Sequence, residues 1–327
     1  MLKGFPSNIL IGPQTICGKD FLVETVLIIL FLRGGLRHLS KKGVLKVTLN
    51  KKSIIQHICH DLRIGLVGQW KKYAAAAVVF AVICGDLFSR FQSALTYATS
   101  EMTSSTVSFG DYLFYLFRGM PEAVPGDPEM EINFFWVLIF ILLAYIVSYY
   151  PFKDLSGYGQ QMLLRSQKRG YWWLSKCIWN VFSVISFYLI AFLIAALFAI
   201  LLGGDLSLLP HNDIQLYLNH FSFPELTPAM VLLLTLCLPL SVSITLSLIQ
   251  MTVSLILNPI FGMITSAAIL ATSIFFNSQW ILGNYLMVIR SQALSLQGLL
   301  LCPILCAVSI LIGYFYFQKR DILSQYD

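Results

Sequence analysis

Histidine and carboxylate side chains are the residues of this chain that could bind a metal ion or transfer protons. His57 and His60 stand three positions apart with Asp61 beside them, so a helix would place them on one face. A zinc site needs further ligands at characteristic spacings, and none of those spacings occurs here. The pattern favours a solvated helix face. We therefore expect no metal site and no cofactor bound by this chain.

Hydroxyl side chains are the remaining candidates for catalysis. They are concentrated in one apolar segment, residues 229–250, where no His, Asp or Glu could act as a base: Thr235, Ser241, Ser243, Thr245 and Ser247. Such hydroxyls usually donate to backbone carbonyls or pack between helices. The chain also lacks the Gly-x-x-x-x-Gly-Lys-Ser/Thr motif that cradles ATP phosphates. We predict no catalytic residues and no ATPase activity of the chain's own.

The elements that carry these side chains are apolar helices. The sequence is 57% hydrophobic and only 12% charged, against about 25% charged in globular domains. A bilayer-spanning helix needs about 20 apolar residues. The predicted fold class is therefore all-α, a polytopic integral membrane protein with an N-terminal amphipathic interfacial helix at residues 51–71. The six predicted transmembrane helices are residues 72–88, 134–150, 177–202, 229–250, 257–276 and 298–317.

A basic segment, residues 152–176, joins the second and third predicted spans. It contains Lys153, Arg165, Lys168, Arg169 and Lys176, with Asp154 as its single acid. Lys and Arg are enriched in cytoplasmic loops. The aromatic residues 171–173 would anchor this loop at the headgroup level.

Charge elsewhere agrees with one threading of the chain. Of 22 Lys and Arg residues, only Arg90, Arg118 and Arg290 fall in segments assigned to the opposite side. This distribution predicts that both termini are cytoplasmic. One of those segments contains FGDYLFYLFRG (109–119), whose aromatic residues at helical spacing predict an interfacial helix.

The N-terminal residues 1–50 are predicted to be an extension outside the membrane domain, which covers residues 72–327. Their apolar run at residues 21–32 is too short to span and contains Glu24. One hypothesis is that residues 1–44 are not native, with the true start near Leu45 or Val47.

Five motifs in order carry a resemblance to a known family. They are HDLRIGLVGQWKKY (60–73), GQQMLLRSQKRGYWWLSK (159–176), NPIFGMITSAAIL (258–270), GNYLMVIRS (283–291) and GYFYFQKRDIL (313–323). Their order, spacing and sidedness resemble those of the membrane subunit, or permease, of bacterial ABC transporters of the second exporter type, as in Gram-positive bacteria. The resemblance covers roughly 270 residues and excludes the first fifty or so.

The resemblance implies an assembly in the bacterial plasma membrane. Two permease subunits would form a dimer, with a homodimer favoured over a heterodimer, among membrane lipids. Two copies of a separate ATP-binding cassette subunit would bind ATP and Mg²⁺ below it. No nucleic-acid partner is expected.

The resemblance also implies roles for particular residues. The ATPase-coupling interface would comprise Asp154, Gln160, Gln161, Leu164, Arg165, Arg169 and Tyr171. The interfacial connecting helix would contribute Asp61, Arg63 and Trp70. Small residues suited to helix–helix or dimer packing are Ala75, Ala76, Gly262 and Ala267, and an outer gate is predicted at Asn284, Tyr285 and Arg290.

The predicted function is export of an amphipathic peptide, antibiotic or lipid-like substrate, since the spans show no buried charge that could pair with a charged solute. The alternative is a membrane anchor or sensor subunit of a peptide- or lipid-responsive complex that transports nothing. Substrate identity and transport direction do not follow from the residues alone.

Overall fold

The computed structural model describes residues 51–97, 104, 106–122, 132–155, 157, 159–160, 163, 169–219 and 227–319. Every regular element in these ranges is helical. The predictions for residues 1–50, including the hypothesis about residues 1–44, lie outside them. The α-helices are α1 Lys51–Gly65, α2 Trp70–Tyr97, α3 Phe109–Phe117, α4 Phe134–Ser148, α5 Tyr150–Leu155, α6 Arg169–Leu201, α7 Asn212–Asn219, α8 Pro228–Leu232, α9 Leu238–Ile256, α10 Pro259–Phe275 and α11 Val288–Lys319.

Local sequence explains where several helices begin. Asn133, Thr227 and Asn258 each accept a hydrogen bond from a backbone N–H of the first turn of α4, α8 and α10, which satisfies a donor that has no partner within the helix. Pro228 and Pro259 occupy the first helical positions, where the missing N–H costs nothing. Between α8 and α9 the chain forms a π-helical turn, Leu233–Cys237, just before Pro239.

The long helices run back and forth between two ends of the bundle. We name them the Lys176 end and the Arg290 end, after the buried cations found there. α4 leaves the Arg290 end, where Asn133 Nδ2 donates to the Gly119 carbonyl at 3.1 Å. α11 starts at Val288, at the Arg290 end, and reaches the Lys176 end, where Phe317 stacks on Trp172 of α6 with ring centroids 4.7 Å apart.

Five helical stretches are long and apolar enough to cross a membrane: His57–Tyr97, Phe134–Leu155, Arg169–Leu201, Pro228–Ile256 and Gln297–Lys319. The predicted span at 257–276 corresponds to α10, which has 17 residues. At 1.5 Å per residue, α10 is about 26 Å long, somewhat short of the ~30 Å hydrocarbon core. The all-α class is confirmed, with five helices long and apolar enough to span a membrane; the sixth span and the interfacial position of the helix at residues 51–71 stay predictions.

Two helices begin well before the spans predicted for them, and α2 runs to Tyr97, past the predicted end at residue 88. α6 begins at Arg169, so Lys176 lies inside a helix rather than at the end of the loop predicted for residues 152–176. α11 begins at Val288, well before the predicted start at 298. In both places polar residues enter the helix because neighbouring elements supply their hydrogen-bond partners, which a hydropathy window does not see.

The predicted interfacial helix at 109–119 is the clearest difference in packing. α3 forms over Phe109–Phe117, but the residues from Gly110 onward are all buried. Phe117 stacks on Tyr188 of α6 with centroids 5.4 Å apart. The aromatic residues fill the protein core, so the expected surface position of this helix is wrong.

Candidate functional site

The Lys176 ammonium group is the centre of a buried ion network at its end of the bundle. Lys176 is 0% exposed. Its Nζ lies 2.5 Å from Asp61 Oδ1 and 2.7 Å from Asp154 Oδ2. The same nitrogen lies over the rings of Tyr150 and Trp172, at 4.6 and 5.2 Å from their centroids. We call these five residues together with Ser175 the Lys176 cluster.

Both carboxylates of the cluster are supplied with further donors. Asp61 accepts hydrogen bonds from the Tyr150 hydroxyl at 2.8 Å and from the Ser175 hydroxyl. Asp154 accepts one from the Trp172 indole N–H at 3.0 Å. Buried ion pairs are tolerated when their remaining hydrogen-bonding capacity is filled in this way.

Three separate elements supply the charges: α1 carries Asp61, α5 carries Asp154 and α6 carries Lys176. Trp172 and Lys176 stand at i and i+4, so they share one face of α6. Two glycines allow the close approach. A Cβ on Gly65 would collide with Trp179, and one on Gly159 would collide with the Asp154 carboxylate.

A metal ion is the alternative occupant of this cluster, since ligand atoms of His60, Asp61 and Asp154 lie within 4.8 Å of one another. The Lys176 ammonium already bridges the two carboxylates at ion-pair distance. It would repel a second cation. His60 Nε2 lies 3.7 Å from Asp154 Oδ1, beside the same carboxylate that Lys176 contacts. The donor set fits an ion network.

The residues predicted for the coupling interface differ in burial, and some of them lie outside the described residues. Asp154 is buried in the Lys176 cluster, and Tyr171 is also buried. Arg169 begins α6, and its Nη1 donates to the Gln318 carbonyl at 3.3 Å. Gln160 is half-buried beside Gly159. Gln161, Leu164 and Arg165 lie outside the described residues.

The residues predicted for the connecting helix also divide. Asp61 is buried and joins Asp154 through Lys176, so the structure brings together two groups that were predicted separately. Arg63 is exposed, and Trp70 is 62% exposed. Lys176 was predicted only as a basic loop residue and Trp172 only as a membrane anchor, and no role was predicted for Tyr150 and Ser175. The signal in the sequence that indicates this cluster is a lysine one helical turn after a tryptophan, beside an apolar run.

The predicted gate residues form a second buried cluster at the Arg290 end. Asn284 and Tyr285 are 0% exposed and Arg290 is 6% exposed. Arg290 donates to the carbonyls of Met120 at 3.0 Å and Pro121 at 2.6 Å, and to Asn284 Oδ1 at 2.9 Å.

The other two gate residues bind the loop that follows α10. Asn284 Nδ2 donates to the Phe276 and Ser278 carbonyls, and the Tyr285 hydroxyl donates to the Gln279 carbonyl. The structure brings all three together; gating stays a prediction.

Arg290 also caps a helix. It donates to the carbonyls of Ser273 at 2.5 Å and Ile274 at 3.2 Å, in the last turn of α10. These carbonyls have no partner within the helix, and the helix dipole favours a cation there. Gly119, whose φ is +76°, packs its backbone against Met287 at the same place.

A third buried polar cluster, centred on Asp111, joins α3 to the segment that follows α6. It is 0% exposed and completes a capping box with Ser108 at the start of α3. Its carboxylate also accepts from the backbone N–H of His211 at 2.8 Å and from Gln215 at 3.0 Å, and it contacts His211 Nδ1 at 2.8 Å. The hydrogen bond to Asp111 raises the pKa of His211 above its ordinary value.

The small residues predicted for helix packing fall into two pairs. Ala76 and Gly262 are buried within the chain, and a Cβ on Gly262 would collide with Ser254 and the Gln250 backbone of α9. Ala75 and Ala267 are exposed. Only the second pair is available to another copy of the chain.

Fold and clusters together define a helical membrane protein whose buried charges lie near the two ends of its long helices. The chain belongs to the family described as "Protein of unknown function (DUF2705)", whose family model matches residues 76–323. The matched residues include Asp154, Lys176 and Arg290 but not α1 with Asp61. No curated protein and no solved structure matches the chain.

Proposed function

We propose that this chain is the permease subunit of a bacterial ABC exporter, powered by ATP hydrolysed in a separate subunit. Two permease subunits, favoured to be identical, would associate with two ATP-binding cassette subunits at the Lys176 end. That end would face the cytoplasm of a bacterial cell, and α10 would serve as the sixth span.

The observation that carries this proposal is the Lys176 cluster. It joins α1, the predicted connecting helix, and Asp154, at the start of the predicted coupling loop, to one long apolar helix, α6. A transporter without its own ATPase needs such a link, because force applied at its surface must reach the helices that enclose the substrate.

The chemistry of the cluster suits this role. Separating Asp61 or Asp154 from Lys176 would leave a buried charge unpaired, which costs about 3–5 kcal/mol. A movement of α1 or of the segment around Asp154 is therefore expected to move α6 with it rather than to break the contact. The three elements would then respond as one unit to an attached ATPase.

The substrate class follows from the remaining surfaces. The described parts of the long helices expose many apolar side chains, and the buried cations Lys176 and Arg290 are both already engaged. An amphipathic peptide, antibiotic or lipid-like molecule fits such surfaces better than a strongly charged solute.

The test is co-purification of the chain with an ATP-binding cassette protein encoded beside it, followed by measurement of ATP turnover and transport in proteoliposomes. Two sets of variants separate docking from transmission. Arg165→Glu with Arg169→Glu should abolish co-purification. Lys176→Met with Asp61→Asn and Asp154→Asn should keep the complex but lose transport and its coupling to ATP turnover.

The matched control is Arg90→Glu, an exposed arginine of α2 far from the Lys176 end, which should change neither result. Normal transport by the triple variant would show that the cluster does not transmit force. Co-purification without any transport or stimulated ATP turnover would favour the anchor or sensor alternative.

A further inference from the structure

The buried face of α6 changes in character along its length, starting at the Lys176 cluster. Asn180 stands one turn after Lys176, and Ser183 follows three residues later, so the three share one face of the helix. Both Asn180 and Ser183 are 0% exposed. The face then becomes apolar, with four further residues at intervals of four that are also 0% exposed: Phe187, Ala191, Ala195 and Ala199. A polar strip thus reaches from the charged end to about the middle of the apolar stretch Arg169–Leu201.

The helix that covers this face of α6 is α2. Phe80 of α2 meets Phe187 edge to face, with ring centroids 5.0 Å apart. Nearer the Lys176 end, the Tyr73 hydroxyl of α2 lies beside the Ser183 side chain. We call these four residues together with Asn180 the α2–α6 seam. The aromatic pair closes the polar strip on the side of the Arg290 end.

Asn180 is the residue of the seam whose hydrogen-bonding capacity is unused. Its amide offers two donors and an acceptor with two lone pairs. Neither Oδ1 nor Nδ2 has a hydrogen-bond partner among the residues that the structure describes. An unpaired polar group destabilises a folded protein, and a bilayer core holds no water that could satisfy it. Polar side chains inside membrane spans commonly mark a pathway for a substrate or an ion, so this unused amide indicates a ligand.

The connection between α1 and α2 allows the seam to open. A 3-10 turn, Val67–Gln69, joins the two helices, and a short 3-10 stretch within a long helical segment often marks a hinge. The chain has room there, because the nearest atom that a Cβ on Gly68 would meet is Ile64 Cγ2 at 3.9 Å. α1 is held to α6 through the Lys176 cluster, whereas the seam lies beyond that contact. α2 can therefore move away from α6 at the turn while the Lys176 cluster stays intact.

We propose that the α2–α6 seam opens and binds the uncharged amide group of an amphipathic ligand. An amide is the matching group because it presents a donor and an acceptor side by side, as Asn180 does. The hydroxyls of Ser183 and Tyr73 bind the same polar part of the ligand, and the Phe80–Phe187 pair limits how far it enters. The inference rests on the proposed function and narrows its substrate class to molecules that carry an amide, such as acylated peptides.

The first test is whether water reaches the seam. Asn180→Cys, Ser183→Cys and Val184→Cys are made in the full-length chain in lipid nanodiscs and treated with a polar methanethiosulfonate reagent, and peptide mass spectrometry follows modification at each position. Val184 is the matched control, because it is also 0% exposed and adjoins Ser183 but does not belong to the seam. The two seam variants should react roughly tenfold faster than the control. Equal rates would overturn the proposal, since the seam would then stay closed.

The second test is protection of the Ser183→Cys variant by N-lauroyl-alanylalanine amide, compared with methyl laurate, which has no N–H donor. The amide should slow modification, and methyl laurate should not. Adding Asn180→Leu should raise the concentration needed for half protection roughly fivefold, whereas Asn180→Gln keeps the amide group and should retain protection.

The absence of protection by the amide probe, or equal protection by both probes, contradicts amide recognition. Unchanged protection after Asn180→Leu contradicts the role of Asn180. These measurements use the chain without an ATPase. Failure of the chain to co-purify with an ATP-binding cassette protein would therefore reject the permease proposal and leave the result at the seam standing.

Discussion

The two ends of the bundle hold their buried cations in different ways. Lys176 is bound by two carboxylates on two separate elements, α1 and α5. Arg290 is bound mainly by backbone carbonyls of a helix end and of a loop, with one side-chain amide. Lys176 connects charged side chains, whereas Arg290 donates hydrogen bonds to backbone carbonyls that would otherwise lack a partner.

The Lys176 cluster therefore links separate elements through side chains, whereas Arg290 caps the end of one helix. A carbonyl group carries only a partial charge and has two lone pairs. Removing an arginine that donates to it therefore costs less free energy than leaving a buried carboxylate without its cation. A carboxylate buried without its cation is among the most costly changes in a protein. We therefore expect the free energy of unfolding to fall more on loss of the Lys176 side chain than on loss of the Arg290 side chain.

The largest effect is expected for Lys176→Met. It leaves two buried carboxylates without a cation, and we expect a loss of about 3–5 kcal/mol in the free energy of unfolding. Chemical unfolding in mixed micelles, followed through tryptophan fluorescence, measures this. Lys71→Met, an exposed lysine, should change stability by less than about 0.5 kcal/mol. Adding Asp61→Asn and Asp154→Asn should restore much of the loss, and failure of that rescue would mean that packing rather than charge is responsible.

Arg290→Met should cost less, about 2 kcal/mol in the same measurement. It removes the cap from α10 and leaves buried carbonyls without a donor. The matched control is Arg90→Met, because Arg90 forms an exposed pair with Asp86 whose contribution is small. If Arg290→Met proved as costly as Lys176→Met, the distinction between the two ends would be lost.

Hydropathy was sufficient to predict the helical class and the positions of most of the long apolar helices, because the cost of burying backbone groups in lipid leaves few other choices. It could not place Lys176 or α3. Lys176 is buried between two carboxylates, of which Asp61 stands 115 residues earlier in the chain, and Gly65 lets α1 approach Trp179 of α6 closely. α3 is buried because α6 offers it an aromatic face. Partners distant in sequence decide both.

The same reason explains what was foreseen of the site. Asp61 and Asp154 were selected through a resemblance and not because they meet, and nothing in their spacing indicates that a lysine joins them. Asn284 and Arg290, which were predicted together, are six residues apart, in the 3-10 turn Leu282–Leu286 and at the start of α11, and Arg290 donates to Asn284 Oδ1. Contacts between residues close in the sequence can be inferred from it, whereas contacts between distant elements require the fold.

A smaller effect is expected at His211, whose protonation makes the stability of the protein depend on pH. Its pKa is raised mainly by its hydrogen bond to Asp111, with Asp213 and Asp205 adding to this. Its stabilisation is therefore complete below about pH 6.5, the ordinary histidine value, and is lost as pH rises through the raised pKa. Since about a third of the side chain is exposed, 35%, we expect less than about 1 kcal/mol.

Unfolding of the wild type and His211→Gln at about pH 6 and about pH 8 tests this. The wild type should lose stability between the two values, and the variant should lose less. The Lys176 end provides the comparison, because His211→Gln should change neither co-purification with the ATP-binding cassette protein nor transport. A wild type more stable at the higher pH would contradict the assignment.

The smallest effect is expected between the two ends, at Asn180 of α6. Asn180 lies one turn beyond Lys176 and is 0% exposed, and neither atom of its amide has a hydrogen-bond partner among the described residues. Replacing such a group by an apolar one of similar size is close to neutral, so Asn180→Leu should keep or slightly raise the free energy of unfolding. Asn133→Leu is the matched control, because Asn133 caps α4 and its loss should cost about 1 kcal/mol. A large loss for Asn180→Leu would mean that this amide has a role like that of Lys176, and that the charged end extends one turn further into the bundle.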